Sequence, residues 1–178
     1  MPKHVVLLRG INLASRNRIS MPELRQALEA AGFGDVATYV QSGNVVVSSP
    51  SQAPAVGRKV NALIQKRFGL DIAVIVRSHA ELAEVVKRNP LAKVAVDPKR
   101  YLVTFMSGEL PRAVVERMAG AAGPEERFAV IGREMYSWHP AGVGRSPLWA
   151  RIAAKGLGVD TTTRNWSTVT VLLAMAAR

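Results

Sequence analysis

Three short polar clusters carry the residue types best suited to holding a ligand: Arg9-Gly10-Ile11-Asn12, Gln41-Ser42-Gly43-Asn44 and Thr163-Arg164-Asn165-Trp166. Each joins a fixed donor (Arg, Asn or Gln) to a turn-former. The planar fork of arginine suits a phosphate or carboxylate, and the side-chain amides can orient what surrounds it. With Arg18, the candidate binding residues are Arg9, Asn12, Arg18, Gln41, Ser42, Asn44, Arg164 and Asn165. None of the clusters brings a recognisable nucleophile, base or metal ligand; were the protein an enzyme, Ser42 or a group of the substrate would be the reacting partner. No catalytic residue is assigned.

Other chemistries find little support. His4, His79 and His139 lie far apart, without metal-ligand spacing, and the chain has no cysteine to complete a site. A nucleophile elbow, a Walker loop and a Rossmann fingerprint are all missing, so no cofactor is expected. Gly142-Val143-Gly144 ahead of Ser146-Pro147 could admit a phosphate through backbone N–H groups, but a lone Gly-x-Gly is weak and an ordinary loop is the plainer reading. The strands read as central, Val5–Leu8 and Val45–Val47, have no aromatic residues, which argues against stacking of single-stranded RNA on a sheet.

A net charge of +11 comes from 24 Lys and Arg against 13 Asp and Glu. It is spread along the chain rather than held in a tail, and it favours anionic partners: a small anionic molecule, a nucleic acid or an acidic protein. A solubilising surface is the equally plain alternative. Absence of cysteine argues against a secreted disulfide framework. No run of about 18 apolar residues occurs, so no membrane association is expected, and the reading is a cytoplasmic protein of open oligomeric state.

The elements that must position the clusters follow from local signals. His4–Arg9 reads as a buried strand. Ser20-Met21-Pro22-Glu23 reads as a capping box that starts a helix ending before Gly32, and Thr38–Val40 and Val45–Val47 read as a hairpin around Ser42-Gly43. A second helix spans about 53–68 and stops at Gly69, and Ile72–Val76 reads as a strand. That order is the ferredoxin-like unit. Ser78–Glu81 starts a short connecting helix.

The second half repeats the order in part. It has a strand at Tyr101–Met106, a helix from Pro111, strands at Phe128–Ile131 and Met135–Trp138, a helix from Ser146-Pro147 and a terminal helix carrying Trp166, Val169, Leu173 and Met175. No final strand is evident. The expected fold is α/β (α+β) with two ferredoxin-like βαββαβ-type units, the second degenerate and ending in helices. Its boundaries are 1–77 for the first unit, 78–99 for a helical connector and 100–178 for the second unit.

In a ferredoxin-like unit the end of the first strand, the hairpin between the second and third, and the start of the first helix fall at one end of the sheet. Arg9, Asn12, Arg18, the Ser20 cap, Gln41 and Asn44 should therefore converge. A helix N-terminus there would add unpaired N–H groups and a positive dipole end. The bland alternatives are turn-stabilising bonds at Gln41–Asn44, and helix capping by Thr163 or Asn165 with Trp166 as a core anchor.

Leu7-Leu8-Arg9-Gly10-Ile11-Asn12, Met21, Thr38–Val46 and Thr163–Val169 together resemble the bacterial family known as domain of unknown function 1697 (DUF1697). The resemblance implies an α/β fold of ferredoxin-like halves and brings no established activity. Where such proteins often carry a glycine pair after Arg-Gly-Ile-Asn-Val, this chain has Leu13-Ala14-Ser15.

The leading expectation is an uncharacterised protein binding an anionic small molecule through the three clusters. The alternatives are a metal-independent enzyme that uses the same residues to stabilise an oxyanion, and a nucleic-acid-binding or structural interaction module.

Overall fold

A computed structural model describes all residues, Met1–Arg178. The first six elements are β1 (Lys3–Leu8), α1 (Met21–Ala30), β2 (Gly34–Tyr39), β3 (Asn44–Ser48), α2 (Ala53–Phe68) and β4 (Val74–Ser78). Their strands bond in the order β2-β3-β1-β4, all antiparallel, with Val5 opposite Val46 and Leu7 opposite Asn44 across the central pair. This is the expected ferredoxin-like order.

Local chemistry sets the ends of these elements. The Ser20 Oγ accepts the Glu23 N–H at 3.4 Å, and Pro22 sits in the first turn of α1, where its missing N–H costs nothing. Gly69 ends α2 in the left-handed conformation, at φ +69°. β4 begins two residues later than the apolar run suggests, because the Ile72 carbonyl is taken by Asn61 Nδ2 (2.7 Å) and the Ala73 carbonyl by the Arg9 N–H (3.0 Å). After β4, α3 (His79–Arg88) opens with a reciprocal capping box. The Ser78 N–H donates to the Glu81 carboxylate (2.8 Å), and the Glu81 N–H donates to Ser78 Oγ (3.1 Å).

The first core is built from Val6, Leu8, Val45, Val47 and Val76 on one face of the sheet, packed with Leu24 and Leu28 of α1 and Val56, Val60 and Ile64 of α2. The spacing of four along each helix puts those side chains on one stripe. Residues of the opposite parity, Val5, Leu7, Val46 and Ile75, are buried as well, so Val5–Leu8 and Val45–Val47 are apolar on both faces rather than alternating.

The second half contains β5 (Tyr101–Met106), α4 (Arg112–Gly120), β6 (Arg127–Ile131), β7 (Glu134–Trp138), α5 (Pro147–Ile152), β8 (Thr161–Asn165) and α6 (Trp166–Ala176). Its sheet order, β6-β7-β5-β8, reproduces the first position by position. Here the sequence expectation needs correcting, because the final strand exists. Thr161–Asn165 pairs antiparallel with β5, Val103 standing opposite Arg164 and Thr104 opposite Thr163. Three consecutive threonines suit a pleated strand, and two of their hydroxyls are met nearby: Thr163 by Thr104 at 2.8 Å and Thr162 by Arg164 Nη1 at 2.8 Å. The core of this unit joins Met106, Met118, Met135, Leu148 and Ile152.

The compact units are Met1–Glu84 together with Val171–Arg178, and Val85–Thr170; the divisions fall within α3 and α6. No helix is long and apolar enough to cross a membrane.

Candidate functional site

Within the first unit, the residues after β1, the β2–β3 hairpin and the approach to α1 meet at one end of the sheet. Asn12 is the joint. Its Nδ2 donates to the Gln41 carbonyl (2.8 Å) and the Ile19 carbonyl (3.1 Å), while its Oδ1 accepts the Ile19 N–H (2.8 Å). The loop between them is closed by Asn17 Nδ2 on the Gly10 carbonyl (3.0 Å), by the Asn12 N–H on the Asn17 carbonyl (2.9 Å) and by the Arg16 N–H on the Leu13 carbonyl (2.8 Å).

The hairpin is pinned to β1 just as tightly. Gly43 sits at φ +87° with its carbonyl on the Leu8 N–H (2.9 Å). Asn44, fully buried, donates to the Tyr39 carbonyl (3.2 Å) and to Ser42 Oγ (2.9 Å). The amides of this cluster are therefore spent on fixing the backbone, while Gln41 is exposed and contributes its carbonyl to Asn12.

The arginines differ. Arg9 is half-buried, its guanidinium makes no hydrogen bond or ion pair, and Arg16 and Arg18 are exposed and likewise unpaired. The first acidic residue of the chain is Glu23, so Lys3, Arg9, Arg16 and Arg18 precede any carboxylate. Glu23 itself only reaches Arg67, at 3.9 Å between half-exposed side chains, a contact of little energy.

Backbone strain marks the same end. Besides Gly10 and Gly43, the left-handed region holds Asn12 (φ +54°), Ala14 (+50°), Asn17 (+48°) and Val40 (+51°). Asparagine tolerates that conformation, but alanine and especially a β-branched valine do not.

Arg164 and Asn165 belong to the second unit. Arg164 lies on a strand rather than at a helix start; its Nη1 donates to Thr162 Oγ1 (2.8 Å) and the Thr163 carbonyl (2.9 Å), and burial pushes its pKa down to about 10. Asn165 caps α6, its Oδ1 accepting the Thr168 N–H at 2.9 Å. Trp166 stacks on Tyr101 with ring centroids 4.7 Å apart.

A family model for proteins of unknown function, DUF1697, matches residues 1–136. The chain belongs to this family. No curated protein matches it. Among solved structures, the chain is similar to the conserved bacterial protein SP0830 from Streptococcus pneumoniae, at 20% identity over 98% of each chain with a TM-score of 0.76, a likeness of fold. The DUF1697 resemblance also bears on the strain at Ala14, which occupies the first position of the glycine pair often seen there. Ala14→Gly is expected to stabilise the protein by about 0.5–1 kcal/mol, the relief of the left-handed penalty less the extra entropy of glycine. A urea melt showing no gain would mean that the loop relaxes around alanine without strain.

Sequence reasoning missed a polar cluster in the second unit. Glu126 Oε2 takes both His139 Nδ1 and Ser146 Oγ at 2.6 Å, Oε1 takes the Gly123 N–H at 3.0 Å, and His139 Nε2 lies 2.8 Å from Ser137 Oγ. The residue types suggest a hydrolytic triad, but the directions of the bonds exclude one in this arrangement. The imidazole meets the carboxylate through Nδ1 and Ser137 through Nε2, while the Ser146 hydroxyl donates to Glu126 and accepts the Trp149 N–H (3.0 Å). Ser146 Oγ also stands 3.3 Å from Nδ1, but that nitrogen is already engaged by the carboxylate at 2.6 Å, so neither ring nitrogen is free to take a proton from Ser146 and the cluster works as a clamp. Its only sequence sign was Ser146-Pro147 as a helix start.

Burial pushes the Glu126 carboxyl up, but the bonds from Ser146, Gly123 and His139 outweigh it and hold the pKa below the usual carboxylate range. A carboxyl depressed in the folded state stabilises the protein above its unfolded pKa, and that contribution is lost as pH falls through the folded value. Glu126→Gln should cost about 1–2 kcal/mol at neutral pH and flatten the acid limb of a stability-against-pH curve. An unchanged acid limb would remove the clamp from the acid response.

Proposed function

We propose that this protein binds a small anionic molecule, bearing phosphate or carboxylate, at the Arg9 end of the first sheet. The observation that carries the reading is Arg9, a half-buried residue whose guanidinium has no hydrogen-bond or ion-pair partner, on the same loop end as the two exposed, unpaired arginines Arg16 and Arg18. Three unpaired arginines in a segment without a carboxylate make a place of positive potential that an anion relieves. The loop that carries these groups is held by Asn12 and Asn17 before any ligand arrives, so little ordering is left for binding to supply. Strain at Ala14 and Val40 fits the same reading, since strained backbone tends to gather where ligands are held. Arg164 and Asn165 stay outside this proposal, engaged within their own unit.

Thermal unfolding tests it, with inorganic phosphate, pyrophosphate, citrate and nucleoside triphosphates as probes. A ligand at 100 times its Kd adds about 2.7 kcal/mol. At this chain length that raises Tm by roughly 5–10 °C. Arg9→Ala should abolish the rise and leave the ligand-free melt unchanged, because no existing partner is lost. A rise surviving Arg9→Ala, or no rise with any probe, would overturn the reading. A signal seen only with polynucleotides and falling steeply with salt would replace it with nucleic-acid binding.

A further inference from the structure

A cleft of about 630 Å³ is lined by two segments of the second unit, Gly123–Glu126 and, without Val143, Pro140–Pro147. Its volume lies in the range of roughly 300–1,000 Å³ usual for small-molecule sites. Glu126 and Ser146 contribute to the wall, but their polar atoms are committed to the clamp. Pro124, Pro140, Ala141 and Pro147 give it apolar, stiff surface.

What remains free is charge of both signs, one from each segment. Glu125 and Arg145 both line the cleft, both are exposed, and neither forms an ion pair with the other or with anything else. On the Arg145 side, the N–H groups of Gly144 and Arg145 also have no partner in the protein. An anion alone would meet Arg145 but face the Glu125 carboxylate, a cation alone would face Arg145, and a neutral apolar molecule would desolvate both without return. A ligand that carries both charges around an apolar body satisfies all three surfaces.

We propose that this cleft binds a zwitterion of dipeptide size with apolar side chains. Its ammonium meets Glu125, its carboxylate meets Arg145 and the free N–H groups, and its side chains lie on the prolines. This site is separate from the Arg9 loop and stands or falls independently of it.

The experiment is a titration of the intact protein with the dipeptide Leu-Phe, its N-acetyl form and its C-terminal amide, followed by calorimetry and tryptophan fluorescence. Trp149, edge-on to His139 at 6.1 Å, reports on the cleft wall. Leu-Phe should bind, and blocking either terminus should weaken binding about tenfold, the loss of one charge-assisted contact. Glu125→Gln should erase the difference between free and acetylated peptide, and Arg145→Gln the difference between free and amidated peptide. Both side chains are exposed and unpaired, so circular dichroism of the variants should match the wild type. No binding at about 10 mM, equal binding of the three peptides, or preferences that persist in both variants would each overturn the proposal.

Discussion

Gly43→Ala should lower stability by about 2–5 kcal/mol. A methyl group built on Gly43 would stand 2.8 Å from Leu8 Cβ, 2.9 Å from the Leu8 carbonyl oxygen and 3.1 Å from Ile11 Cγ1, and two of those atoms belong to a central strand and its backbone. Overpacking of this kind costs ~1–3 kcal/mol. The left-handed backbone at φ +87° adds ~1–2 kcal/mol for any residue with a Cβ. For a chain of this length the sum corresponds to a fall in Tm of roughly 4–20 °C. A variant melting within about 2 °C of wild type would show that the hairpin can back away from β1 cheaply. The glycine of Gln-Ser-Gly-Asn would then serve the turn alone.

Asn12→Ala is the second large effect, expected at about 2–4 kcal/mol. Three bonds vanish together, stranding the Ile19 N–H and the carbonyls of Ile19 and Gln41, at about 1 kcal/mol each. Alanine also tolerates φ +54° less well than asparagine. Asn12→Gly separates the two causes, because it removes the bonds while relieving the backbone. If glycine restores most of the loss, the conformation matters more than the bonds. If glycine melts as low as alanine, the bonds hold the loop, and hydrogen exchange at residues 13–19 should quicken in both variants.

Elements whose signals are local were legible. Capping side chains such as Ser20, Ser78 and Glu81 act within four residues, so the residue types carry the geometry with them. The helical spacing of Val56, Val60 and Ile64 needed only its period to reveal the buried face. The convergence of Arg9, Asn12 and Gln41 followed from topology, since the strand order brings those chain segments to one end.

Other features were closed to such reading. β8 is polar, short and runs straight into α6, so Thr161–Asn165 shows neither an apolar alternation nor a turn before the helix. The Glu126, His139 and Ser146 clamp joins residues from two connections, and nothing in their spacing of 13 and 7 positions announces it. Strain at Ala14 and Val40 was invisible for the opposite reason: those residue types argue against the conformation that the folded loop imposes.

The first compact unit is discontinuous, made of Met1–Glu84 and the last residues, Val171–Arg178. During synthesis its second piece emerges only after the whole of Val85–Thr170, a delay of roughly 4–17 s at ordinary elongation rates. The β1–β4 sheet and its core come wholly from residues 3–78 and precede that delay, so only the short terminal piece of α6 is added late. Vectorial synthesis therefore lets the Arg9 loop form on its own sheet while Val85–Thr170 is still being made.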